Sequence, residues 1–144
     1  MKNTLTILED PAATYGSLDD NHLMSFIDAI RKGFSFNSFL RFSQTIPFTM
    51  QDWSSFLHLS ERTLQRYEKE KKKFDPMQSE RILEIALLFK KGASVFGSNE
   101  KFNLWLETES LALGGIKPKT LLDNSFGIRL IKDELTRIEH GVLA

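Results

Sequence analysis

The sequence predicts an all-α protein, and three observations carry that reading. Apolar residues recur at helical spacing through most of the chain, beginning with Leu23, Phe26, Ile27 and Ile30 at i, i+3, i+4 and i+7. Helix punctuation brackets these runs, with Thr49, Ser60, Asp75-Pro76, Ser98 and Asn124 at starts and Gly33, Gly97 and Gly141 at stops. No stretch alternates apolar and polar residues between hairpin turns, and neither a βαβ pattern nor an internal repeat is present.

Each element can be justified in turn. Residues 1–16 contain Pro11, Gly16 and several Thr and Asn without an apolar period, and read as a mobile lead-in. A first amphipathic helix is expected from Ser17 to Lys32, where Gly33 stops it. Phe36, Phe39, Leu40 and Ile46 give a second, ended by Pro47. Thr49 with Asp52 three residues on forms a capping box for a third, and Ser60 caps a fourth that reaches about Lys69. The run Lys69 to Lys73 is too polar to pack. Asp75 followed by Pro76 opens a longer helix to about Ser94. That helix carries one stripe of Ile82, Ile85, Ala86 and Phe89 and a second of Leu83 and Leu87, more apolar surface than one packing partner requires. The surplus predicts a homodimer. Ser98 starts a short helix with Phe102, Leu104, Trp105 and Leu106, Gly114-Gly115 breaks the chain and Pro118 restarts it. A last helix from Asn124 to His140 carries Ile128, Ile131, Leu135 and Ile138 on one side. The expected organisation is a lead-in at 1–16, a helical domain at 17–96 and a smaller helical domain at 97–144.

Composition narrows the chemistry. With 144 residues, 41% of them apolar and twelve of them Phe, the chain can bury a substantial core. It has no Cys, which excludes disulfides, thiolate nucleophiles and Cys-ligated zinc. His22, His58 and His140 are too scattered to suggest a metal site. There is no glycine-rich loop after a strand, no nucleophile paired with a base and no convincing carboxylate pair, so neither a cofactor nor an enzymatic activity is expected. The N-terminus lacks the pattern of a signal peptide, and no apolar run is long enough to span a membrane, which predicts a soluble cytoplasmic protein. Net charge is zero, yet residues 60–91 carry nine basic and six acidic side chains. Positive charge is concentrated in the middle of the chain.

The sharpest motif lies between Met50 and Lys69, where two short helices flank the three-residue turn of His58, Leu59 and Ser60. A helix-turn-helix needs apolar residues where its helices cross, a small residue at the closest approach and an apolar plug in the turn. Trp53 and Leu57 face inward from the first helix, Ser54 allows the crossing, Leu59 plugs the turn, and Leu64 and Tyr67 face inward from the second. The candidate DNA-contacting residues are then Ser60, Arg62, Thr63, Gln65, Arg66 and Lys69. Arg62 and Arg66 can fork onto guanine or phosphate, and Gln65 can pair with adenine. Glu61 lies among them and would repel phosphate. His58 stands where Gly is usual, at a position that often takes positive φ.

At this point the sequence resembles the Xre/MbcA/ParS antitoxins that partner RES-domain toxins. Ser60 to Arg66 and Asp75 to Arg81 look like that family's recognition helix and the start of its next helix. Phe96-Gly97, Trp105-Leu106, Leu113 to Gly115 with Pro118, Leu121 to Asp123, Gly127 and Arg137 to Gly141 follow its toxin-binding domain, and the likeness covers roughly residues 20–144. Asn124 replaces the family's common Thr and is an equally good N-cap. The resemblance implies an antitoxin that represses its own operon at an operator DNA and binds a toxin that degrades NAD, near the toxin's active-site entrance. It points to Trp105, Arg137, Glu139, His140, Val142 and Leu143 as toxin-binding residues. Two other readings stand beside it. A protein-interaction module without DNA binding would fail to shift its own promoter, and a stand-alone regulator with a small-molecule effector would lack a neighbouring toxin gene.

Overall fold

The structure is a computed structural model and describes residues 20–141, with side chains from Leu23 onward. It is built from seven α-helices: α1 (Asp20–Lys32), α2 (Phe36–Ser43), α3 (Met50–Leu57), α4 (Glu61–Glu70), α5 (Pro76–Phe96), α6 (Asn99–Leu106) and α7 (Ser125–Glu139). Two 3-10 turns, Leu111–Leu113 and Pro118–Leu121, join α6 to α7. Among the described residues there is no strand, only the isolated bridges Ser35 with Lys73 and Ser110 with Ile116.

Local chemistry sets the helix ends. Ser35, Thr49, Ser60, Ser98 and Asn124 each accept a hydrogen bond from a backbone N–H in the first turn of the helix that follows. Each such cap contributes about 1 kcal/mol. At α3 the box is complete, because Asp52 also accepts from the Thr49 N–H at 2.9 Å. Phe48 before that cap packs on Trp53 with ring centroids 5.4 Å apart, a hydrophobic staple that fixes the entry angle. Asp75 occupies the N-cap of α5 without a side-chain cap bond, and Pro76 supplies the preset φ instead.

Helix α5 is the spine. Its residues Ile82, Leu83, Ile85, Ala86, Leu88 and Phe89 are buried, and α1, α3, α6 and α7 pack around it. Of the surplus stripe that predicted a dimer, Leu83 is buried within the chain and Leu87 stays partly exposed. Part of α1 stays open: Phe26 and Ala29 are buried, whereas Leu23, Met24 and Ile27 are exposed, contrary to the single buried stripe expected. Ile46 is buried beyond the end of α2 rather than within it. The expected lead-in at 1–16 and the proposed start at Ser17 lie outside the described residues.

The core is strongly aromatic. An unbroken series of ring contacts runs from Tyr67 on α4 through Phe74, Phe39, Trp53, Phe48, Phe89 and Phe102 to Trp105 on α6. Most are edge-to-face, the arrangement favoured by the ring quadrupole. Gly92 on α5 makes room for Phe102: a Cβ there would strike the Phe102 ring, which is fully buried and has nowhere to go. Gly92→Ala is therefore expected to destabilise the protein by about 1–2 kcal/mol, since overpacking costs about 1–3 kcal/mol and outweighs the gain of up to about 1 kcal/mol in helix propensity. Denaturant unfolding checks this, and a variant as stable as the parent would refute the close contact.

Candidate DNA-reading and partner-binding surfaces

The turn between α3 and α4 is built on His58, whose backbone is left-handed at φ 56 and ψ 39. A branched side chain would be strained there, and His tolerates it better. Ser54 Oγ donates to the Leu59 carbonyl across the turn. Trp53, Leu57 and Leu64 are buried, and Leu59 and Tyr67 pack against the core. These positions match the inward residues expected of a helix-turn-helix.

The second helix of the motif, α4, turns its polar residues outward. At about 100° per residue, Arg62, Gln65, Arg66 and Lys69 fall within one arc of about 100°, and all four are exposed. Glu61 and Glu68 lie just outside the arc on one flank and Glu70 on the other. Ser60 and Thr63 are engaged in the cap: Thr63 N–H donates to Ser60 Oγ at 3.0 Å, and Ser60 Oγ donates its hydrogen to Thr63 Oγ1 at 2.9 Å. Thr63's own hydroxyl hydrogen remains for an external acceptor. The Arg66 guanidinium lies 5.9 Å from the Tyr67 ring centroid, and Lys72 Nζ lies 5.8 Å from it.

Beyond α4 the chain turns at Lys71, again left-handed at φ 55. Lys69, Lys71, Lys72 and Lys73 are all exposed, and Lys72 pairs with Glu70 at 3.8 Å. The knuckle is held by backbone bonds from Lys72 N–H to the Tyr67 carbonyl and from Phe36 N–H to the Lys72 carbonyl. Lys71 and Lys73 were legible only as residues too polar to pack. Their position beside the basic arc emerges from the fold.

The C-terminal region is joined to this motif by polar contacts at both ends of α3. At one end Lys119 Nζ bridges Asp52 and Glu107, 3.0 Å from each, and lies 5.1 Å from the Phe48 ring centroid. Burial opposes the charge on Lys119, but the hydrogen bonds to Glu107 and Asp52 and their negative charges outweigh it and raise its pKa above the ordinary lysine value. At the other end His58 Nε2 lies 2.7 Å from the Asp123 carbonyl oxygen. Arg81 Nη1 donates to the Phe56 carbonyl, while Arg81 Nε and Ser125 Oγ both donate to Glu84 Oε1.

Of the residues expected to meet a partner, Trp105 is half-buried, with one part of its ring against Phe96 and Phe102. Arg137, Glu139 and His140 are exposed near the end of α7, and Arg137 pairs with Glu134 at 2.9 Å. Val142 and Leu143 lie outside the described residues. Gly114 and Gly115 both take φ 82, and Gly127 abuts the Leu121 carbonyl, where a Cβ would not fit. Among the described residues, no group of His and carboxylate side chains could hold a metal ion, and no helix is long and apolar enough to cross a membrane.

Fold and surfaces together define a helix-turn-helix protein whose motif is bonded to a second, smaller helical unit. The chain matches the Antitoxin Xre-like helix-turn-helix domain over residues 25–87 and the Antitoxin Xre/MbcA/ParS C-terminal toxin-binding domain over residues 91–141. It is 26% identical over 119 residues to an Antitoxin Xre of Yersinia enterocolitica, covering 82% of this chain and 80% of that one. An Antitoxin Xre of Photorhabdus laumondii is 27% identical over 109 residues, 69% of this chain and 74% of that one. The chain belongs to the Xre/MbcA/ParS antitoxins, a non-enzymatic family.

The Lys119 bridge makes a measurable demand. Because its folded-state pKa is raised, its contribution is fully present below the ordinary lysine value and is lost as pH rises through the raised one. Lys119→Met should lower stability by about 1–2 kcal/mol at neutral pH, the range for charge-assisted hydrogen bonds at a partly exposed site. The gap to the parent should close at strongly alkaline pH. Unfolding curves of both proteins against pH test this, and a gap that stayed constant would refute the assignment.

Proposed function

We propose that this protein is the antitoxin of a type II toxin-antitoxin pair that works in the cytoplasm, binds operator DNA through α4 to repress its own operon, and silences its toxin by direct contact through the C-terminal region. The observation that carries the DNA half is the single exposed arc of Arg62, Gln65, Arg66 and Lys69 on the second helix of a helix-turn-helix, the element that enters the major groove in this class. Ser60 and Thr63 complete the proposed contact set as the cap that aims the helix. Neutral overall charge is compatible with this, because binding depends on the local field at the groove-facing arc.

The partner half rests on the match to a toxin-binding domain over residues 91–141. By family resemblance the toxin is a RES-domain protein that degrades NAD, and Trp105, Arg137, Glu139, His140, Val142 and Leu143 are its proposed contacts. We also propose a homodimer, since paired half-sites call for two recognition helices. The exposed strip of Leu23, Met24 and Ile27 on α1 is an apolar surface available for it.

A titration of the chain's own promoter tests the DNA reading. Arg62→Ala with Arg66→Ala should cost at least about tenfold in affinity with the fold intact, as each base contact is worth about 1–3 kcal/mol. Unchanged affinity would sink the assignment. Co-expression with the product of the neighbouring gene tests the other half: cellular NAD should fall with that product alone and recover when the antitoxin is present. Point substitutions suit this better than truncation, because Phe102, Leu106, Ile128, Ile131 and Leu135 belong to the same buried cluster as the helix-turn-helix.

A further inference from the structure

Helix α7 is fully committed on one side and open on the other. Gly127, Ile128, Ile131 and Leu135 are buried against the rest of the chain. Opposite them, Phe126, Leu130, Asp133, Arg137 and His140 follow one another at alternating spacings of four and three, which on a helix is a single straight line. Phe126 is 82% exposed and Leu130 is 49% exposed. Two large apolar groups adjacent on one helix face, with no cover from the chain, mark an interaction surface more specifically than scattered exposed residues do.

We propose that this outward line of α7, anchored by Phe126 and Leu130, is the surface on which the toxin docks. The inference rests on the partner reading above and deepens it by naming the anchor. Three further observations support that occupant. The whole line falls within residues 91–141, the stretch that matches a toxin-binding domain. It is continuous with Arg137 and His140, the polar residues already proposed for the same partner. The anchor is also held in place before any partner arrives: Asn124 caps α7 through Gly127 N–H at 2.7 Å, Ser125 bonds Glu84, and the Asp123 carbonyl meets His58. With the backbone already fixed, only the few side-chain torsions of Phe126 and Leu130 have to be ordered on binding.

Beside the line runs a groove of about 490 Å³ between α5 and α7. Its floor includes Leu87, Leu88 and Ile128, and Lys91, Arg129 and Lys132 stand around it against Glu84 and Asp133. Glu84 is paired with Arg81, so Lys91, Arg129 and Lys132 against Asp133 leave the groove with a positive excess. The partner that fits is a protein surface with an apolar pocket for Phe126 and Leu130 and carboxylates beside it.

The test is a binding titration between the purified full-length antitoxin and the toxin produced from the neighbouring gene. Phe126→Ser with Leu130→Ser should weaken that complex at least about thirtyfold, the loss expected of one interface anchor. Helix content, thermal stability and operator affinity should match the parent, as both side chains are exposed. Leu111→Ser, at another strongly exposed apolar position, should leave toxin affinity unchanged. If the parent binds toxin and the double variant binds equally well, the assignment of this face is overturned while the partner reading stands. A loss confined to Leu111→Ser would move the contact to the 3-10 turn and likewise overturn it. A double variant that bound toxin normally but shifted from dimer to monomer in light scattering would make the face a self-interface. A parent that bound no toxin would overturn the partner reading itself.

Discussion

Everything in this protein depends on one packing contact, the ring of Phe102 lying over the backbone of Gly92 with its edge toward Phe89. Through it the aromatic series that begins under α4 continues into α6. Edge-to-face pairs are worth about 0.5–1.5 kcal/mol each beyond the area they bury, so the series joins two family-level domains into one cooperative interior. The surfaces for DNA and for a protein partner are therefore built on a single body of packed rings.

Polar chemistry decides where that body points its groups. The left-handed turn at His58 sets the direction of α4, and the same side chain reaches across to the Asp123 carbonyl at the start of α7. Lys119 at the other end of α3 touches the carboxylate that completes the α3 capping box. Each end of the first helix of the motif is thus tied to the C-terminal unit. Rotation of one unit against the other would break charged or carbonyl hydrogen bonds as well as ring contacts, which makes the relative placement of the two surfaces a property of the fold rather than of a linker.

Much of this was legible in the sequence because it is local. Caps, the α3 box, the His58 turn and the break at Gly114-Gly115 are written in residues a few positions apart, and the helix-turn-helix pattern rests on the same short-range signals. Readings that needed a neighbour's position came out differently. The extra apolar stripe on α5 read as a dimer face, and the packing of α1, α6 and α7 buries its Leu83 while Leu87 stays partly open. Leu23 and Ile27 belong to a good helical stripe, yet α5 covers only the Phe26 and Ala29 side of it. Trp105, named for a partner, is half-buried in a cluster with the Phe96 and Phe102 rings, which its spacing could not show. Phe126 and Leu130 attracted no notice, because nothing in their spacing distinguishes an outward pair from an inward one until the position of α5 is known.

The Gly92 and Phe102 joint also bears on how such a protein can diversify. A ring that demands the absence of a Cβ on another helix is a paired requirement, so neither residue can be exchanged alone without crowding or a void. Both residues lie within 91–141, the stretch that matches the toxin-binding domain, so a foreign C-terminal unit grafted there brings its own pair and has still to fit its ring against Phe89. The joint thus constrains the buried rings on both sides of the boundary, while the exposed side chains of α4 and α7 can change without disturbing it.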